Sequence, residues 1–360
     1  MLSCYSSFFF SLPFETNRTK TNTTSVCSEF PLISQLIKKK ELLTENITSS
    51  ISILKPPYEN KWILKSSKKE QYNYLLIKEI SIYEHLHSHP KFLTKKETYN
   101  PFLEYQVLSS SSSLLLERCL NVDLFHILYS TGPFSLSSSF LLFQEIINSI
   151  ELLHECKVVH LDLRLDQFLL DSNFNFKVID FGWSQIVDSS SVVVPINLFS
   201  ECMFWVPELT SVAGLEKEEQ EKEKEILING YAVDIWHLGM ILFILLFGFP
   251  PFSYQKNNIK ECKYYQLWNS GTELDHNTFW NHMNLFWRRK YPFESSLSPI
   301  EQNSELQDLL EKMLDPLPEN RPTIKEIKHH PWMKQKEKGS KSSFLKEELK
   351  YRISKTKRMY

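Results

Sequence analysis

The sequence predicts an α+β fold of two lobes, and three observations point to it. Strand-like segments fill residues 50–118, whereas long apolar segments with three- and four-residue spacing dominate from about residue 120. Strands followed by helices, not alternating with them, is the order of a segregated α+β architecture. The length, 360 residues, is enough for two packed lobes, and a hydrophobic content of 42 % supplies their cores.

Residues 1–40 are rich in Ser, Thr and Asn and read as irregular. The start, MLSCYSSFFFSLPF, is apolar but short and lacks a basic leader, so it reads as a disordered or docked terminus, not a signal peptide. ISIL at 51–54 and KWILK at 61–65 predict short strands, separated by a turn at Pro56 and Pro57. YNYLLIKEISIYEHLH predicts a helix that ends before Pro90. FLEYQVL and SLLLERC predict two more strands, with the serine run 109–113 as their turn. FLLFQEIINSIELLHEC predicts a long apolar helix, and HLDLRLDQFLL with FKVIDFG predicts a loop and strands.

Further on, LEKEEQEKEKE at 215–225 reads as a solvated helix or a loop insertion. Tyr231 to Phe252 resembles a membrane span, but its uninterrupted apolar part, Met240–Phe249, is about half the length a bilayer needs. Asp234 and His237 lie at its start, so a buried core helix is predicted. ELQDLLEKML and TIKEIKHHPW predict two more helices. Residues 333–360 hold ten basic and three acidic residues and read as a mobile tail or a loosely attached helix.

Composition excludes several function classes. A net charge of −2 gives no global field for nucleic acid. The six cysteines, Cys4, Cys27, Cys119, Cys156, Cys202 and Cys262, show no CxxC spacing. They read as reduced thiols, neither a disulfide frame nor a zinc site, which fits an intracellular, cytoplasmic protein. The histidines of HLHSH at 85–89 read as a helix end, not as metal ligands. There is no GxxxxGK[ST], so P-loop chemistry is excluded.

Chemistry concentrates in HLDLRLDQFLLD, which starts at His160, and in the NFKVIDFGW that follows. Two acids separated by a hairpin can converge at one end of it: one to accept a hydroxyl proton, the other to hold a phosphate-bound metal. Six further features occur in order. HLDLRLDQ sits where an H-R-D-L-K-x-x-N loop would, followed by DFG at Asp180–Gly182. VPE at Val206–Glu208, DIWHLG at Asp234–Gly239, Arg321 in ENRPT and Trp332 in HHPW complete the series.

Over residues 40–333 this series resembles the eukaryotic protein kinase superfamily, in a divergent member of its serine/threonine type. The resemblance implies an irregular segment 1–40, a strand-rich N-lobe at 41–118, a helical C-lobe at 119–333 and a basic tail at 334–360. It implies a protein substrate, ATP and Mg²⁺. Asp162 would orient the substrate hydroxyl and accept its proton, and Arg164, in place of the family's lysine, would keep a cation near the γ-phosphate. Asp180 would hold the metal, with Gln167 at the position of the family's loop asparagine. Lys65 of WILK would contact the α- and β-phosphates, fixed by Glu79. Leu116 would guard the back of the pocket, Glu117 to Cys119 would offer backbone groups to adenine, and Asp123 would lie near the ribose. Arg321 would pair with Glu208.

Four departures from the family pattern stand beside these matches. The glycine-rich loop is replaced by NITSSISIL, and no glycine precedes Gly132. Gln167 sets the loop amide one methylene further out, roughly 1.5 Å. Strict register puts Glu201, beside Ser200, at the position of the threonine ahead of A-P-E. Leu161 replaces the arginine that precedes the catalytic aspartate, so a phosphorylated activation loop finds no cation there. The alternative reading is a pseudokinase, a nucleotide-binding or scaffold module with this fold.

Overall fold

The protein is described from a computed structural model, which covers residues 40–45, 49–54, 62–70, 73–94, 102–107, 112–119, 122–188, 191–195, 206–209, 225–252, 259–292, 297–334 and 341–356. The expectations for residues 1–39, the Pro56–Pro57 turn, the serines 109–111, most of the charged run 215–225, Ser200 and Glu201 lie outside the described residues.

The first lobe is an antiparallel five-stranded sheet with one long helix. Its strands are β1 (Lys40–Glu45), β2 (Ser49–Leu54), β3 (Trp62–Ser67), β4 (Phe102–Val107) and β5 (Ser112–Glu117). Their order is β1-β2-β3-β5-β4, so β3 is the central strand. Lys65 stands opposite Ile51 on β2 and Leu114 on β5. Helix α1 (Asn73–Ser88) buries Leu76, Glu79, Ile80, Tyr83 and Leu86, the three- and four-residue spacing of an amphipathic face. It ends before His89, and Pro90 opens the four-residue helix α2 (Pro90–Leu93), where a missing N–H is tolerated.

The second lobe is built around two long helices. Helix α3 (Leu124–Thr131) leads to α4 (Leu136–Glu155), capped by Ser135, whose hydroxyl accepts from the Ser138 N–H. Three short antiparallel pairs follow. Strand β6 (Val158–Val159) pairs with β9 (Gln185–Ile186), and β7 (Phe168–Leu170) with β8 (Phe176–Val178). Strand β10 (Ser191–Pro195) pairs with β11 (Glu225–Asn229). β11 overlaps the end of the charged run, where a solvated helix or loop was expected. Its alternating apolar residues, Ile226 and Ile228, supply the strand pattern that the acidic run obscures.

Helix α5 (Gly230–Phe247) is the axis of this lobe. It is apolar and long enough to cross a membrane, yet 89 % of it is buried in the lobe, the core-helix outcome. It stops at Gly248, a left-handed position (φ 70°) whose N–H bonds the Ile244 carbonyl. Helices α6 (Lys263–Asn269), α7 (Glu273–Lys290), α8 (Ser304–Met313) and α9 (Ile324–His329) surround it. The aromatic-rich α7 was not anticipated, because residues such as Trp280, Phe286 and Trp287 blur the contrast between its faces.

The basic tail forms α10 (Lys341–Thr356), and it is docked, not mobile or loosely attached. Leu345, Leu349 and Ile353 are buried at four-residue spacing, each stabilising the contact by roughly 2 kcal/mol. Arg352 anchors the turn between α3 and α4, donating to Thr131 Oγ1 at 2.8 Å, Gly132 O at 3.0 Å and Pro133 O at 2.9 Å. Its guanidinium also lies 4.1 Å from the Phe134 ring centroid. The count of basic residues hid this stripe, since the charges occupy the other faces. Arg352→Ala removes these hydrogen bonds and the ring contact together. It should lower stability by about 2–4 kcal/mol in urea unfolding, with Lys350→Ala, on the same helix, much milder.

Candidate active site

Lys65 is the centre of the site. Its ammonium lies 2.7 Å from Glu79 Oε2 and 2.8 Å from Asp180 Oδ1, joining the sheet, helix α1 and the second lobe in one contact. Burial alone would lower the lysine's pKa, but Asp180 and then Glu79 outweigh it and raise it, so the ammonium stays charged. Burial likewise opposes ionisation of Asp180, yet the Lys65 charge and hydrogen bond hold its carboxyl down at about 2. Glu79 is shifted upward by its burial, against the pull of Lys65.

Asp180 reaches this contact from a left-handed backbone (φ 67°), a conformation that costs a residue with a Cβ about 1–3 kcal/mol. The neighbouring ring holds it there. Phe181 is buried between Tyr83 of α1, centroids 5.0 Å apart, and His160, centroids 5.3 Å apart. His160 in turn has its Nε2 3.2 Å from the Ile179 carbonyl.

Asp162 lies in the loop after β6 and is 4 % exposed. Its Oδ2 is 3.7 Å from Arg164 Nη1, while its buried Oδ1 has no hydrogen-bond partner. Burial pushes its pKa well above the ordinary aspartate value; Arg164 opposes that shift, and Asp180 and Asp166 add to it. An unpartnered, basic carboxylate oxygen is suited to accepting a proton from a hydroxyl.

The loop is fixed from below by Asp234, in the first turns of α5. One oxygen accepts from the Leu161 N–H at 2.8 Å, and the other from the His160 N–H at 2.9 Å, with His154 Nε2 also 2.9 Å away. Leu161 has φ 66° and needs this restraint as Asp180 needs its own. The sequence reading placed Asp234 in a motif but gave it no role. An acid in an otherwise apolar helix was the available signal.

A sequence model described as the protein kinase domain matches residues 56–333. The chain belongs to the protein kinase family. Calcium-dependent protein kinase 33 of Arabidopsis thaliana is 26 % identical over 297 residues, 82 % of this chain and 47 % of that protein. The carbon catabolite-derepressing protein kinase of Secale cereale is 28 % identical over 230 residues, 63 % of this chain and 38 % of that protein. A probable serine/threonine-protein kinase, KCC4 of Saccharomyces cerevisiae, is 28 % identical over 274 residues, 75 % of this chain and 22 % of that protein. The chain thus spans about half the length, or less, of these curated relatives.

The remaining residues expected at the site are placed as follows. Arg164 makes a two-pronged pair with Asp166, Nε and Nη2 each at 3.1 Å, beside Asp162. Gln167 is buried. With its amide nitrogen toward the Ile179 carbonyl it donates at 3.3 Å and accepts from Arg164 Nη2 at 3.3 Å, so its oxygen faces a cation of the protein. Leu116 is buried opposite Ile63 at the end of β5. Glu117 pairs with the buried Lys177 at 3.2 Å, and Cys119 beside it is a neutral thiol, its pKa pushed up to about 12 by burial. Asp123 caps α3, with Oδ1 accepting from the His126 N–H at 2.8 Å and Oδ2 2.7 Å from its ring. Its carboxylate is therefore already engaged where a ribose contact was expected. The Arg321–Glu208 pair is formed at 2.8 and 2.9 Å, and the arginine also donates to three backbone carbonyls, of Asp315, Ala232 and Pro316. The first glycine-free strands, β1 and β2, lie ahead of the stretch that the family model covers.

Asp234→Ala would leave two buried N–H groups at His160 and Leu161 without acceptors. The expected loss is about 3 kcal/mol or more by chemical denaturation, with Asp234→Asn losing less because an amide oxygen still accepts.

Proposed function

We propose that the chain is an ATP-dependent protein serine/threonine kinase. The observation that carries this reading is the meeting of Lys65, Glu79 and Asp180 at one end of the hairpin that also presents Asp162. A cation held by two acids beside a basic carboxylate with one unpartnered oxygen is the equipment of phosphoryl transfer to a hydroxyl. The names of the relatives support the serine/threonine class, and a cytoplasmic setting is part of the same reading.

Fit to nucleotide and metal follows from the donor set. Among the described residues no cluster of three or more His, Cys, Asp or Glu forms a cage for a metal ion. Mg²⁺ needs none, since one or two carboxylates and the substrate phosphates complete its shell. Asp180, ionised down to about pH 2 and with one oxygen free of protein partners among the described residues, would hold it. When bound, Mg²⁺ supplies charge neutralisation on the phosphate oxygens.

This chain's own groups do the rest. Lys65 would turn from Asp180 to the α- and β-phosphates while Glu79 keeps it in place. Asp162 orients the substrate serine or threonine hydroxyl and takes its proton as the hydroxyl oxygen bonds to the γ-phosphorus. The bond from that phosphorus to the bridging oxygen breaks, and ADP leaves with the electron pair. Arg164 adds positive charge next to the attacking oxygen. The pseudokinase alternative draws on one observation, the Gln167 amide oxygen facing Arg164.

Purified protein should phosphorylate serine/threonine peptides with Mg²⁺ and ATP, and Lys65→Met should lower the rate by at least about a hundredfold. No transfer above an Asp162→Asn blank, with ATP still raising the melting temperature, would leave the pseudokinase. The pH profile gives a separate check. A base must be ionised, so kcat/KM falls as pH drops through the pKa of Asp162, and burial raises that pKa. The acid limb should therefore lie above the ordinary aspartate range; a limb within that range contradicts the assignment.

A further inference from the structure

Phosphate-driven ordering of the segment after Asp180 needs a cation in the catalytic loop, and Leu161, fully buried, stands where it would be. Residues 191–195 of that segment are nevertheless in regular structure. Strand β10 pairs with β11 through five opposed residues, from Ser191 opposite Asn229 to Pro195 opposite Glu225. β11 runs directly into α5, the helix whose Asp234 holds the loop of Asp162.

A two-stranded ribbon alone is marginal in water, so its packing matters. Val192 and Ile228 lie opposite each other and are 3 % and 6 % exposed. Val192 is also stacked over the chain at Gly230. A Cβ built there would lie 3.2 Å from Val192 Cγ2 and 2.9 Å from Val159 Cγ2, so glycine admits the close approach. Asn229 then fixes the junction by accepting the Ala232 N–H at 3.2 Å. Leu227, between these residues, is 66 % exposed, which sets the inward face of the strand on Ile228.

We propose that β11 is a built-in positioning strand, with Ile228 its anchoring residue, that holds the segment after Asp180 in its working path without phosphorylation. Its effect on catalysis rests on the kinase reading above; the holding itself does not. The strand would do structurally what a phosphate paired with a loop arginine would do electrostatically.

The test uses the full chain after phosphatase treatment, with amide hydrogen exchange read over residues 191–194. Neighbouring residues of an antiparallel pair alternate in pointing their N–H at the partner. Proline at Leu227 or at Ile228 must therefore remove a ladder bond. Wild type, Leu227→Ala and Ile228→Val should keep these amides protected. At least one of Leu227→Pro and Ile228→Pro should exchange there about tenfold faster or more, with the melting-temperature rise on adding ATP unchanged as evidence of an intact fold. The same variant should show a raised KM for a peptide substrate and an unchanged KM for ATP, and phosphatase should leave wild-type activity within about twofold. Unprotected amides in phosphatase-treated wild type, equal protection in both proline variants, or phosphatase-sensitive wild-type activity overturns the proposal. If wild type transfers no phosphate at all, the kinase reading fails alone, and exchange still decides whether β11 holds the segment.

Discussion

A buried ammonium must find negative charge, and that requirement organises this molecule. Lys65 sits on the central strand of the first lobe, where burial works against its charge. One of the acids that restore the charge comes from α1 and the other from the second lobe. Removing one partner of a pair as buried as Lys65–Glu79 typically costs about 3–5 kcal/mol, and the more open Asp180 contact costs less. The position of α1 and the closeness of the two lobes are thus tied to one nitrogen atom. In the proposed reaction a triphosphate would compete for the same atom, so the contact that joins the lobes would also be the one that substrate replaces.

A second constraint makes that contact possible. Among the described residues four with side chains adopt left-handed backbone, and two of them, Leu161 and Asp180, sit at the carboxylates that would act. Left to itself the backbone would relax. Asp234 prevents this for the loop by gripping consecutive N–H groups, and the Tyr83–Phe181–His160 stack prevents it for Asp180. The strain is local, and the groups that hold it belong to the rigid core of both lobes, so Asp162 and Asp180 are presented and not merely tethered.

What the sequence revealed depended on how locally the information was written. Asp162, Asp180, Lys65 and Glu79 stand in short motifs whose spacing survives in one chain, and the helices α1, α4 and α5 carry clear apolar periods. The docking of α10 and the strand β11 were illegible for the opposite reason: each is a short apolar pattern embedded in a charge run, and composition outvoted periodicity. β1, just at the edge of an irregular-looking segment, was missed because its alternation, KELLTE, is only partial. The engagement of Asp123 as a helix cap and of Gln167 with Arg164 depends on neighbours' rotamers, which no spacing encodes.

The departures from the family pattern do not all bear on the same property. Leu161 would concern how the site is switched, and under the proposal for β11 a switch at that position would be dispensable. The glycine-free strands would concern how tightly the phosphates are covered, since Ser49 and Ser52, both buried, carry a Cβ that glycine lacks. Gln167 alone bears on the reacting end, and there the longer side chain reaches Arg164. In the proposed kinase this amide would choose between two cations, the guanidinium already present and the divalent ion that accompanies ATP. Arg164 has a second partner in Asp166 and so remains held if the amide leaves it. On that reading the loop would stay in order whichever cation Gln167 took, which would reconcile an unusual loop residue with the charges around it.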